Sequence, residues 1–194
     1  MILGYHLIWS AYGCWLPNDP RGSSSLEIRI PILKELGELH QGRKKIQPAG
    51  WVIEQFYEQA KSLLQFPIET FNEVERDVIA ESIAQAIQAE NYTCYACAVM
   101  PDHVHLLIRK HRHQAETMIA GLQAASRQLL VDRGHRRAAH PVWGGPGWKV
   151  FLDSVADIER TIRYIEDNPI KIGRPPQKWA FVKPYDGWTL PGAC

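Results

Sequence analysis

The stretch from Asn91 to Lys110 constrains the fold more than any other part of the chain. Asn91–Met100 and His103–Lys110 are strand-like runs, and Pro101-Asp102 between them suits a tight turn. A two-stranded hairpin is at best marginally stable alone, so its flanks must supply partners. On one side Val74, Val78, Ile79, Ile83 and Ile87 recur at helical spacing over Glu73–Glu90. On the other, Met118, Leu122, Ala125 and Leu129 do the same over Ala115–Asp132, and Gly134 ends that helix. Leu3–Tyr12 reads as an opening strand. Trp148–Leu152 reads as a short strand after the Gly- and Pro-rich loop His140–Gly147. A last helix is expected over Val155–Asp167, stopping at Asn168-Pro169 because the residue before proline avoids helical backbone angles.

Strand–helix–strand twice over is the split βαβ order, so the predicted class is α+β: a ferredoxin-like sandwich of one antiparallel sheet with helices. The added C-terminal helix should occupy the open sheet face. The whole chain, 1–194, is expected to form one domain. Residues 26–66 are an irregular insertion with a short helix expected over Val52–Gln65, and 178–194 an aromatic tail that folds back.

The formal charge of +1 conceals an asymmetry: His103–Lys149 holds eight Arg or Lys against only Glu116 and Asp132, and six of the eight histidines. A concentrated basic segment suits a polyanion bound on one face, though it equally describes a solvated loop. The four cysteines make no framework. Cys94 and Cys97 have knuckle spacing but lack a second pair, and an i,i+3 pair on a regular strand points to opposite faces. No 18-residue apolar run and no signal-like start occur, so a reduced, cytoplasmic setting is expected.

His103-Val104-His105 lies on the second hairpin strand, where alternation sends both imidazoles to one face about 7 Å apart and Val104 to the core. Such a pair either decorates an exposed face or shares one small cation with open coordination positions. In the last helix Val155, Ile158, Ile162 and Ile165 form the packing stripe. Tyr164 falls roughly 140° from its centre. A tyrosine there either covers a loop or the tail, or does chemistry. Asn168 is one turn on, so its amide can reach the same point.

The run Val99–Ile108 (VMPDHVHLLI) resembles the histidine-hydrophobe-histidine signature of the HUH single-tyrosine transposases. Tyr164–Gly173 (YIEDNPIKIG) resembles the tyrosine helix of their REP-associated branch, and Trp15–Gly22 (WLPNDPRG) is similar to the same branch. The resemblance implies a Mg²⁺- or Mn²⁺-dependent endonuclease that cuts single-stranded DNA at hairpin-forming repeats. Tyr164 would be the nucleophile, giving a 5′-phosphotyrosine and a free 3′-OH. His103 and His105 would be metal ligands, with Asn168 as the third. Relatives often have glutamine at the Asn168 position. A monomer is favoured over a dimer.

For DNA contact the sequence offers Arg109, Arg133, Arg136, Arg137, Lys149, Arg160, Arg163 and Lys171 for phosphates, and Trp143 as the leading base platform. Trp148 and the tail aromatics Trp179, Tyr185 and Trp188 are further platform candidates, and Arg43–Lys45 could touch a hairpin stem. Two other readings remain at this stage: a non-catalytic ferredoxin-like nucleic-acid-binding module, and a metal-dependent hydrolase of small phosphodiesters.

Overall fold

The computed structural model describes residues 1–42 and 44–188. Four strands, β1 (Gly4–Ser10), β2 (Cys94–Val99), β3 (His103–Arg109) and β4 (Trp148–Leu152), form one antiparallel sheet in the order β2-β3-β1-β4. Helices α2 (Glu73–Glu90) and α3 (Ala115–Asp132) cover one sheet face, and α4 (Val155–Lys171) the other. This is the α+β class expected from the sequence, with the last helix on the formerly open face.

Alternation along the strands builds two cores. Tyr5, Leu7, Trp9, Val104, Leu106 and Ile108 pack against Val78, Ile79 and Ile83 of α2 and Met118, Ile119 and Leu122 of α3. The opposite set, Leu107, Leu152 and Ala98, packs against Ile158 and Ile165 of α4. Helix α2 begins where expected because Asn72 and Glu75 form a reciprocal capping box, and it ends at Asn91 in the left-handed conformation. Val74, placed in its stripe from the sequence, is instead exposed. In α3 the buried line runs through Ser126 and Leu130 rather than Ala125 and Leu129, since the Ser126 hydroxyl is satisfied internally by donating to the Leu122 carbonyl at 2.7 Å.

Two further expectations are corrected. Helix α4 does not stop at Asn168 but runs through Pro169 to Lys171. The proline lies within the last turn, where one backbone bond is lost, and its ring is buried. Cys94 and Cys97 do not face opposite ways. A bulge between Cys94 and Ala96 adds a residue to β2, so both thiols enter the α2/α3 core. They are free, and burial pushes both thiol pKa values up, which makes them inert packing groups. Cys194 lies outside the described residues.

The insertion is more ordered than its composition suggests. A 3-10 helix (Pro31–Leu36) and α1 (Gly50–Leu63) enclose a satellite core of Leu16, Leu33, Phe56 and Ala60. The tail returns as expected along the outer edge of β2. The Gln177 side chain accepts from Val99 N–H and donates to its carbonyl, both at 2.8 Å, and Lys183 N–H donates to the Cys94 carbonyl. Among the described residues the outer edge of β4 has no such cover. No helix among them is long and apolar enough to cross a membrane.

Candidate active site

The strand register decides what meets what. Ile8 of β1 lies opposite His105, Ser10 opposite His103 and His6 opposite Leu107, so His6, Ile8, Ser10, His103 and His105 all face α4. Directly opposed residues in an antiparallel pair share a face. The two β3 imidazoles therefore lie on one side, with ring centroids 4.7 Å apart, while Val104 is buried in the other core as expected.

Each imidazole is held through Nδ1. His103 Nδ1 is 2.6 Å from a carboxylate oxygen of Asp102, the turn residue before it. Burial pushes the Asp102 carboxyl up, but the hydrogen bond and charge of His103 outweigh it and hold the group below the usual carboxylate range. His105, 5% exposed, has its Nδ1 2.9 Å from Nε2 of His6, itself 7% exposed. Burial lowers the His6 pKa to about 4 and puts that of His105 well below the ordinary value, so both rings are neutral at pH 7. With Nδ1 engaged in both β3 residues, Nε2 is the nitrogen left on each for a cation. A metal-bound histidine ordinarily has its other ring nitrogen fixed in this way. This donor set fits a small divalent ion that keeps open positions for oxygen ligands.

Helix α4 brings the tyrosine. Ile158 and Ile165 anchor it on the sheet, and Tyr164, off that stripe and 42% exposed, turns its ring onto the histidines. The ring centroid lies 5.4 Å from that of His105 and 5.9 Å from that of His6, both edge-on. About two turns further on, Lys171 sets its ammonium 4.7 Å from the centroid of the Tyr164 ring. Asn168 donates its amide N–H to the Tyr164 carbonyl at 2.8 Å, which leaves its Oδ1 as the atom able to reach a cation.

The remaining candidates divide by layer. Arg160 and Arg163 project from α4, Arg160 pairing with Asp157. Arg133 and Arg136 belong to the opposite layer. Arg133 pairs with Glu81, and Arg136 is largely buried between Glu69 and Glu75. Lys149 pairs with Glu116, and Arg109 lies over the Trp188 ring at the far end of β3. Arg137 shows no ion pair among the described residues. Trp143 is not a platform. It is 7% exposed, packs on Trp9 and Phe71, and donates Nε1–H to the Gln123 carbonyl. Trp148 is an exposed aromatic on the site's face: it is 44% exposed and opposite Ile8, hence in one cross-strand row with His105. Gly147 leads into it at φ +75, where an added Cβ would strike the Ile8 carbonyl at 2.7 Å. Trp179 and Tyr185 are packing residues, and Arg43 lies outside the described residues.

Sequence reasoning missed His6 and Asp102. The only signal for His6 was that it is the one polar side chain in the otherwise apolar run Tyr5–Trp9. It missed also the cluster beside the turn, where buried Asp19 accepts from Arg21 and Tyr57 and the guanidinium lies 3.9 Å from the Trp15 ring centroid.

The model of the IS200-like transposase family matches residues 68–168, from the segment leading into α2 to the tyrosine helix and over half of the chain. The chain belongs to the IS200-like transposases. Among solved structures, this transposase is similar to a REP-associated tyrosine transposase bound to a REP hairpin. The identity is 11% and the TM-score 0.47, over 92% of this chain and 74% of that one. It is also similar to a candidate transposase from Deinococcus radiodurans, at 17% identity and a TM-score of 0.43, over 86% of this chain and 91% of that one. No curated protein matches the chain.

Proposed function

We propose that this transposase is a metal-dependent endonuclease of single-stranded DNA, of the REP-associated type, that cuts at hairpin-forming repeats through Tyr164. The observation that carries the reading is the packing of the Tyr164 ring against His105 and His6, beside a histidine pair whose Nε2 atoms are both left over. His103 and His105 would hold Mg²⁺ or Mn²⁺, with the Asn168 amide oxygen as third ligand. That ion, when bound, withdraws charge from the phosphate's non-bridging oxygens.

The chain's own groups do the rest. Tyr164 Oη attacks phosphorus, the bond to the 3′ oxygen breaks, and the DNA leaves a free 3′-OH while its 5′ phosphate stays on the tyrosine. The Lys171 ammonium, 4.7 Å from the centroid of the Tyr164 ring, would offset negative charge that develops as the tyrosine attacks. The ester keeps the bond energy for rejoining, the requirement for strand transfer. Arg160 and Arg163 on α4 would hold flanking phosphates, and Trp148 would stack a base.

The test is a covalent-adduct assay with Mn²⁺ and labelled hairpin-bearing single strands, run beside Tyr164→Phe and a chelated control. A denaturant-stable adduct present only in the untreated wild type is expected. Tight, metal-independent binding with no adduct would replace this reading with a non-catalytic nucleic-acid module. Replacing His103 and His105 together with Ala should abolish Mn²⁺ binding with the fold intact, and undiminished binding would refute the ligand assignment.

A further inference from the structure

His6 belongs to neither motif in the sequence, yet its ring is buried behind His105, Nε2 to Nδ1 at 2.9 Å, and its edge meets Tyr164. We propose that His6 is a positioning residue that accepts the Nδ1 proton of His105, and so fixes the tautomer and ring angle that point the His105 Nε2 lone pair at the cation. The inference rests on the ligand assignment above and adds the element that makes His105 competent for it.

A hydrogen bond between two neutral imidazoles uses one N–H and one lone pair. Were His6 the donor, the His105 proton would sit on Nε2 and its only lone pair would be spent on His6, leaving nothing for a metal. With His6 as acceptor, Nε2 is free. The neighbouring ligand supplies the parallel: His103 Nδ1 faces Asp102, a carboxylate that can only accept, which selects the same tautomer there. His6 is therefore to His105 what Asp102 is to His103. Both rings are buried, so the bond is largely shielded from solvent.

A neutral acceptor at this place also has a reason. The His6 ring touches Tyr164, so a carboxylate would put a negative charge beside a tyrosine that becomes negative as it attacks. Its position in β1, opposite Leu107 and Val150, holds it between the two neighbouring strands, one of which carries the ligands.

The experiment compares wild type, His6→Leu and His6→Gln. Long-range ¹H–¹⁵N spectra of metal-free, ¹⁵N-histidine-labelled protein report the tautomer. The wild type should show His105 protonated at Nδ1, His6→Leu a mixture, and His6→Gln, whose amide oxygen can accept, the wild-type form. Mn²⁺ titration followed by electron paramagnetic resonance should show affinity reduced on the order of 10- to 100-fold in His6→Leu and largely restored in His6→Gln. A wild-type His105 protonated at Nε2 overturns the inference, as does a His6→Leu protein with the wild-type spectrum and Mn²⁺ affinity. Should His6→Leu fail to fold, the wild-type spectrum and His6→Gln still decide. Mn²⁺ binding that survives His103→Ala/His105→Ala would instead sink the ligand assignment, while the metal-free spectra continue to judge His6.

Discussion

Arg136 lies in the most basic part of the sequence, yet the structure makes it a core ion and not a DNA contact. Its Nε and Nη2 donate to both carboxylate oxygens of Glu69, while Nη1 donates to Glu75 and to the His135 carbonyl. All three charged side chains are largely buried. Arg136→Met keeps an apolar stem but leaves two carboxylates without their cation. Breaking a buried pair by removing one partner costs about 3–5 kcal/mol, a large share of a domain's total of about 5–15 kcal/mol. At roughly 2–4 °C per kcal/mol for a chain of this length, the midpoint should fall by about 6–20 °C. The exposed Arg133–Glu81 pair is the control: Arg133→Ala should cost at most about 1 kcal/mol. The deficit must also depend on pH. Burial pushes the Glu75 carboxyl up, but its hydrogen bonds from Arg136 and Asn72 outweigh that and hold it below the ordinary value. A depressed carboxyl pKa contributes stability that is full above the unfolded value and lost as pH falls through the folded one. Arg136→Met lacks that contribution, so the gap between the two proteins should narrow below about pH 4.3. Urea unfolding at pH 7 and pH 4, with DNA affinity measured on the folded variant, checks both points. A loss under about 1 kcal/mol, or weakened DNA binding at unchanged stability, would refute the reasoning and return Arg136 to the DNA interface.

The two tryptophans on either side of Gly147 should behave oppositely. Trp148→Ala should weaken single-stranded DNA binding by about 1–3 kcal/mol with little change in stability, while Trp143→Ala should destabilise by about 3–5 kcal/mol. Equal effects in both assays would contradict the placement of these rings. On α4, Arg163→Ala should weaken binding evenly across sequences and lower the slope of log affinity against log salt by about one, and Arg133→Ala should leave that slope alone. Titration in increasing salt decides, and the reverse pattern would move the phosphate path to the α2/α3 layer.

The fold was legible wherever information is local. The helical spacing of Val78, Ile79 and Ile83, the Gly134 stop and the Pro101-Asp102 turn mark their elements within a few residues. The site was half legible on the same grounds. His103 and His105 are tied by strand alternation, and Tyr164 by its place on the helix. His6 was not legible, because what makes it matter is a pairing 99 residues away in sequence. The Cys94/Cys97 facing failed because one bulged residue inverts strand parity, and the Trp143 reading because basic neighbours in sequence turned out to be bound to Glu69, Glu75 and Glu81.

The two edges of the sheet have unequal fates. The tail occupies the β2 side through Gln177 and Lys183, whereas β4, with Trp148 and Val150 exposed, remains open among the described residues. A sheet open on both sides can lengthen without end. One open on a single side can accept one more strand, or meet its own image across a two-fold axis, and there growth stops. The aromatic tail therefore leaves the sheet one free edge instead of two, and cutting it back before Gln177 should expose the second, read as concentration-dependent association that the full chain lacks.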